Sequence, residues 1–359
     1  MARGKRILFV VEAMGGGVFT YIVDLANELV NKYDMYIAYA VREQTPKNYK
    51  EYFDKRIKLI KVNGFGRSIN LGKDLESFVE IKQIAKQLRP DIIHLHSSKA
   101  GVVGRLALNG TPPMFYTPHG YSFLMENYKP LKRKAFYMIE RLCAKKPCMT
   151  ISCSFGEHQE TLKLTKHADY VNNGINLAEL ERIIGETEKV NHPFTVYTLG
   201  RICYQKNPEM FNKIAESMPE VNFMWIGDGE MRNQLTATNI KITGWTERLE
   251  ALKLSLNADA FLLTSRWEGL PISLLESMYM KKPCVVSDVI GNHDVIRDKE
   301  NGFVCDQVGD YTWAIEQIRQ SGAARVVEEA YQNILDEYNT KVMAEKYSFI
   351  YEEKLREGK

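Results

Sequence analysis

The sequence predicts an α/β protein: two doubly wound, Rossmann-like parallel-sheet domains facing a central cleft. Three observations carry that prediction. The chain opens on a strand–turn–helix unit: the apolar run Arg6–Val11, then Gly15-Gly16-Gly17, then Phe19, Ile22, Val23, Leu25, Ala26 and Leu29 at helical spacing. The same unit restarts at Phe194–Leu199, followed by Gly200-Arg201 and by Lys206-Asn207-Pro208 opening a helix. A length of 359 residues also exceeds what one hydrophobic core ordinarily supports.

The elements follow in order. After the first unit, Met35–Ala40 and Ile57–Val62 read as strands and Leu75–Leu88 as an amphipathic helix stopped by Pro90. Asp91–His96 and Met114–Thr117 are buried strands, the second running into Pro118-His119-Gly120. Tyr128–Lys146 is a basic amphipathic helix, and Met149–Ser152 the next strand. A charged helix over Leu180–Val190, broken by Asn191-His192-Pro193, puts the domain boundary at about residue 190, dividing 1–190 from 191–340. In the second half, Val221–Ile226, Ile240–Thr243, Ala258–Leu263 and Pro283–Ser287 read as strands, Asn301–Val304 as a short turn and strand, and Glu328–Glu353 as one helix.

Composition narrows the function classes. Apolar residues at 45% and charged residues at 26% are ordinary for a soluble globular chain, and a net charge of +3 is too small to argue for nucleic acid. The six cysteines (143, 148, 153, 203, 284 and 305) show no paired metal-ligand spacing, so buried free thiols in a reducing cytoplasm are expected. The opening MARGKRILFVVEAMGGG has basic residues before an apolar run, but the run is short and passes into a glycine turn; it reads as a first strand. No stretch reaches transmembrane length.

The stretch Ser265–Met278, SRWEGLPISLLESM, holds two carboxylates, Glu268 in a turn and Glu276 in the following helix, with seven residues between them. Such a separation does not suit one shared proton or metal. It suits the two ends of an extended polar ligand whose anionic middle faces a helix N-terminus, the layout of a sugar nucleotide. A loop Glu and an exposed helix Glu are the other reading. Arg201 and Lys206 flank a strand-to-helix loop, where two cations hold a diphosphate without metal or are merely surface charges. Gly15–Gly17 lets backbone approach a phosphate or sugar or makes a plain tight turn; it is not GxGxxG, which disfavours a dinucleotide-dependent oxidoreductase. His119 lies past a strand's C-terminal end, where open sheets build sites, and is otherwise a structural histidine.

Together GGG (15–17), PHG (118–120), GRICYQKN (200–207), IGDGE (226–230) and SRWEGLPISLLE (265–276) resemble the retaining glycosyltransferases of the GT-B fold, family-four type, of bacterial polysaccharide and capsule assembly. The resemblance covers nearly the whole chain. It implies that Gly16 and Gly17 approach the transferring sugar, that His119 hydrogen-bonds it, and that Arg201 and Lys206 neutralise the diphosphate. Glu268, with the amides of Gly269 and Leu270, would bind a sugar hydroxyl, Glu276 the two ribose hydroxyls, and Gly244 and Trp245 would lie by the base. It further implies a nucleotide-diphosphate-sugar donor, most simply a UDP-sugar carrying a hexose or N-acetylhexosamine. A saccharide or polyprenyl-linked acceptor, retention at the anomeric carbon, no cofactor and no metal are implied with it. A closing helix, 341–359, would return to the first domain. Asp294 stands where the family usually has glutamate, and Lys281-Lys282 where it has a small residue and glycine.

The basic helix leaves two readings, a solvated face or contact of Lys129, Lys132, Arg133 and Lys134 with the anionic cytoplasmic face of a membrane. Two other functions remain: a GT-B sugar-nucleotide epimerase, which needs further acid/base carboxylates, and a non-catalytic sugar-nucleotide-binding protein.

Overall fold

The computed structural model describes residues 4–42, 44–66, 70–321 and 323–357. The chain forms two compact units: one holds the chain up to Asn173 together with Thr340 onward, the other Gly174–Asn339.

In the first unit β1 (Arg6–Met14), α1 (Gly16–Leu29), β2 (Asp34–Val41), β3 (Lys58–Lys61) and α2 (Leu71–Leu88) come first. Then follow β4 (Ile92–His96), α3 (Ser98–Ala107), β5 (Met114–Thr117), α4 (Pro130–Cys143), β6 (Met149–Ser152), α5 (Phe155–Leu162) and β7 (Ala168–Tyr170). Among the described residues these strands make one parallel sheet in the order β3-β2-β1-β4-β5-β6-β7. The period-2 geometry of β1 explains its unbroken apolar run, because both faces are covered. Ile7, Phe9 and Val11 join Ile22, Leu25, Tyr347 and Tyr351 on one face; Leu8 and Val10 join Ile93, Leu95, Ala100 and Val103 on the other.

The second unit contains α6 (Leu177–Glu186), β8 (Thr195–Leu199), α7 (Pro208–Ser217), β9 (Asn222–Ile226), β10 (Ile240–Ile242) and α8 (Arg248–Leu256). It continues through β11 (Ala260–Leu263), α9 (Ile272–Tyr279), β12 (Cys284–Ser287), β13 (Phe303–Cys305), α10 (Val308–Ser321) and α11 (Ala324–Asp336). Its parallel sheet runs β10-β9-β8-β11-β12-β13. Strand order reverses between β1 and β4 in the first sheet and between β8 and β11 in the second. The loops leaving these strands diverge to opposite faces, and the crevice this opens is where doubly wound sheets bind ligands.

Two sequence expectations need correction. The chain enters the second unit at Gly174, not near residue 190, because α6 packs on α8 within that unit. The single helix expected over Glu328–Glu353 is two, α11 and α12 (Thr340–Glu357), the latter belonging to the first unit. Asn339 breaks it: its side-chain amide donates to the carbonyl of Leu335 at 2.8 Å, satisfying the end of α11, while Ile175 N–H donates to Tyr338 O. Five cysteines are buried free thiols and Cys203 is partly exposed.

Candidate functional site

The loops after β8 and β9 in the second unit are sewn together by backbone. Ile202 N–H donates to Asp228 O at 2.9 Å, Met231 N–H to Ile202 O at 3.2 Å, and the Trp225 indole N–H to Gly200 O at 2.8 Å. The glycines of IGDGE permit this approach: a Cβ on Gly227 would lie 2.2 Å from Gly200 O, and one on Gly229 2.2 Å from Ile202 O. Arg201 leaves this junction and donates from Nε to Glu230 at 2.9 Å.

Lys206 ends a short 3₁₀ turn, Tyr204–Lys206, before Asn207, which at φ 52° accepts Met210 N–H and caps α7. The Thr264 hydroxyl donates to Lys206 O at 2.9 Å, tying this turn to the end of β11. Lys206 Nζ then reaches Glu268 Oε1 at 2.7 Å; the Ser265 hydroxyl donates to the same oxygen at 2.6 Å and Gln205 Nε2 to Oε2 at 3.3 Å. The ends of β8 and β11, neighbours at the reversal, therefore bring Lys206 and Glu268 into one ion pair that their spacing in sequence did not reveal.

Glu276 lies on α9, which is buried on nearly every side, with Leu274, Leu275 and Met278 fully covered. Pro271 sits at the cap of α9 rather than inside it. The Glu276 carboxylate is 1% exposed and has Arg248 Nη1 2.7 Å from Oε1; Arg248 Nη2 also donates to Glu179 on α6 at 3.0 Å. Burial raises the Glu276 pKa above the ordinary carboxylate value, and the Arg248 guanidinium opposes that rise. Arg248 and Glu179 carried no sequence signal, since an Arg and a Glu on charged helices are indistinguishable from a solvated face. Gly269 and Leu270 form the bend between the two carboxylates. Gly244 takes φ 78° and is bridged to Gly227, and Trp245 beside it is 62% exposed, a flat apolar surface in the loop after β10.

In the first unit Gly16 takes φ 57° at the start of α1, with open space where a Cβ would point. Gly16 and Gly17 are exposed, and the N-cap residue Gly15 supplies no side-chain cap, so among the described residues no N-cap side chain takes up the first amide N–H groups at the positive end of the dipole. His119 follows β5 at φ 55° and Gly120 at φ 90°. A non-glycine residue in that region persists only where neighbours over-determine it. Here Glu157, buried on α5, accepts Gly120 N–H at 2.6 Å and Cys153 N–H at 2.8 Å. His96 Nδ1 lies 3.1 Å from His119 Nε2, and the Tyr21 ring meets His119 edge-on at 4.6 Å. Burial pushes the His119 pKa down to about 3, so the ring is neutral at ordinary pH. The sequence reading passed over His94 and His96, yet alternate histidines on one face of an otherwise apolar strand were a visible signal.

On α4 the structure separates the expected basic residues. Lys129, Lys132 and Lys134 are exposed, but Arg133 turns back and donates from Nε to Phe123 O at 2.8 Å. Beside the lysines stand Leu131, 81% exposed, and exposed Met138, Ile139 and Leu142. No helix among the described residues is long and apolar enough to cross a membrane.

Comparison with known proteins bears on both units. Residues 15–179 match the model of Glycosyltransferase Family 4, and residues 180–353 that of Glycosyl transferases group 1. An Escherichia coli UDP-Gal:alpha-D-GlcNAc-diphosphoundecaprenol alpha-1,3-galactosyltransferase is 31% identical over 286 residues, covering 71% of this chain and 73% of that protein. Sucrose-phosphate synthase from Thermosynechococcus elongatus superposes with a TM-score of 0.80 at 15% identity, over 97% of this chain and 98% of that one. Anabaena HepE, solved in complex with UDP and glucose, superposes with a TM-score of 0.77 at 15% identity, over 97% of this chain and 100% of that one. Both halves are thus matched in order, and a relative at this identity is spanned over most of its length; the chain belongs to the family-four glycosyltransferases and has their GT-B fold.

Proposed function

We propose that this glycosyltransferase moves a hexose or N-acetylhexosamine from a UDP-sugar to a lipid-linked saccharide in cell-surface polysaccharide assembly, with retention at the anomeric carbon and without a metal. The observation that carries the donor half is the pair of buried carboxylates, each held by one cation: Glu268 by Lys206 where the ends of β8 and β11 meet, and Glu276 on α9 by Arg248 on α8. Glu276 accepts the ribose hydroxyls, and Glu268 a hydroxyl of the sugar beside the amides of Gly269 and Leu270. Lys206 and Arg201 meet the diphosphate and stabilise the charge that develops on it as the sugar leaves. Glu268 and Glu230 pair with these two cations, and a diphosphate competes for them. Trp245 offers a face for the base, with Gly244 turning the chain toward it. His119, Gly16 and Gly17 belong to the transferring sugar. Two cations at a helix-opening loop supply what a divalent ion supplies elsewhere, which supports metal independence.

The lipid-linked acceptor rests on the Escherichia coli relative, named for transfer to a diphosphoundecaprenol-linked sugar, and on the exposed apolar and basic side chains of α4. Leu131, Met138 and Leu142 recur at helical spacing with Lys134, Arg141 and Lys145 around them, so one face presents both hydrocarbon and positive charge, at the cytoplasmic surface of the membrane.

Calorimetry with UDP, GDP and ADP on the wild type and on Glu276→Ala tests the donor assignment. UDP is expected to bind, and the variant to lose about tenfold or more, about 1.4 kcal/mol. Binding indifferent to Glu276, or none of the three nucleotides bound, sinks it.

A further inference from the structure

The reading of His119 as a sugar ligand leaves open which of its ring nitrogens carries the proton, and the first unit constrains that choice. His96 is fully buried on β4 among Phe9, His94 and Tyr21, and its two nitrogens are not equivalent. Nδ1 lies 3.1 Å from His119 Nε2, whereas Nε2 has no hydrogen-bond partner among the described residues. His94, its ring tilted against His96 with the centroids 4.0 Å apart, cannot serve it. Both nitrogens of His94 are taken, Nδ1 by the Tyr351 hydroxyl at 2.5 Å and Nε2 by the Thr117 hydroxyl at 2.9 Å.

Burial keeps both His96 and His119 neutral, so each ring has one N–H and one lone pair. Were the His96 proton on Nε2, a buried N–H would point at no acceptor, a rarer and costlier arrangement than an unmet lone pair. The proton therefore belongs on Nδ1, where it has an acceptor. We propose that His96 is a positioning residue: its Nδ1–H donates to His119 Nε2 and so fixes His119 as the Nδ1–H tautomer, a hydrogen-bond donor to an oxygen of the sugar substrate. In that state His119 has no lone pair to offer at Nδ1 and does not act there as the base that takes the acceptor's proton. The role of His119 toward sugar rests on the function proposed above; the tautomer does not.

The test is a long-range ¹H–¹⁵N correlation spectrum of the full-length, ligand-free protein with ¹⁵N-labelled histidine, the His119 ring being assigned by its disappearance in His119→Asn. The Nδ1–H pattern is expected for both His119 and His96; an Nε2–H pattern at His119 overturns the proposal whatever the enzyme's activity. Two variants add the functional arm. His96→Asn, whose amide can donate from near the Nδ1 position, is expected to keep the tautomer and most of kcat. His96→Leu is expected to lower kcat about tenfold, the loss of one well-placed hydrogen bond, with UDP affinity unchanged. If His96→Leu does not fold, the wild-type spectrum decides. If it folds with wild-type kcat, or if His96→Asn behaves as His96→Leu does, the positioning role falls, while UDP binding separately reports on the donor site.

Discussion

A carboxylate in an apolar interior is ordinarily destabilising, and Glu276 has one guanidinium beside it and no other cation within ion-pair distance among the described residues. Its folded pKa is raised above the unfolded 4.5, so the stability present at acid pH is lost as pH rises from about there through the folded value. Glu276→Gln removes that ionisation. It is expected to melt no lower than the wild type near neutral pH and to lack its decline across this window, while binding UDP about tenfold more weakly or worse. Melting curves over a pH series check the first part, and a lower melting temperature throughout would refute it. Arg248→Met has the opposite sign. It leaves a buried charge without its counter-ion and is expected to cost about 3 kcal/mol in urea unfolding at pH 7. That deficit should shrink as pH falls and Glu276 takes a proton; a pH-independent deficit would point to lost packing instead.

At the scale of elements, α3 and α4 are joined by a buried ion pair, Arg105 Nη2 to Glu140 Oε2 at 2.6 Å. The Tyr116 hydroxyl donates to Glu140 at 2.9 Å, and the guanidinium lies over the Tyr116 ring. Arg105→Met is expected to destabilise by about 3–5 kcal/mol, and Arg105→Met with Glu140→Leu by clearly less, because the double variant leaves no charge uncompensated. A double-mutant cycle in urea reads the difference. In the second unit Gly229→Ala forces a Cβ into the Ile202 carbonyl. The β8 and β9 loops must then part, and UDP affinity is expected to fall with stability; a variant with wild-type melting and UDP binding would show that the junction is not needed. These elements also show what the sequence made legible. β1 runs three residues past the expected Val11, to Met14, but periodicity placed Met114–Thr117 and Met149–Ser152 to the residue and most other strands within one or two, since apolar runs report local burial on both faces. It could not see Arg105–Glu140, Lys206–Glu268 or Arg248–Glu276, because a charged residue that meets its partner across the fold has the same letter as one in water. The break at Asn339 was hidden for a related reason: it rests on a side chain capping the end of α11, which no residue pattern within Glu328–Glu353 announces.

For the molecule as a whole, the exposed apolar stripe of α4 predicts reversible attachment to anionic bilayers. In sedimentation with phosphatidylglycerol vesicles, binding is expected to weaken with salt, each basic residue near the surface contributing about 1 kcal/mol. Leu131→Glu should reduce it with no change in UDP affinity, and binding equal on neutral vesicles would argue against the charged contribution. The remaining feature is α12, whose residues return to the first unit after the whole second unit has been traversed. Tyr21 donates to Tyr347 at 2.6 Å, Tyr351 bonds His94, and Thr340 bonds Glu28. A nascent chain therefore cannot finish its first unit when residue 173 leaves the ribosome. Until residues 340–357 are made, the part of one sheet face that α1 does not cover stays open, with Phe9, Tyr21 and His94 missing their α12 neighbours and accessible to water or to a chaperone. Synthesis order and folding order are thus inverted: the second unit can close first, although it is encoded second, and the histidines that shape the first unit's site are assembled among the last contacts of the molecule.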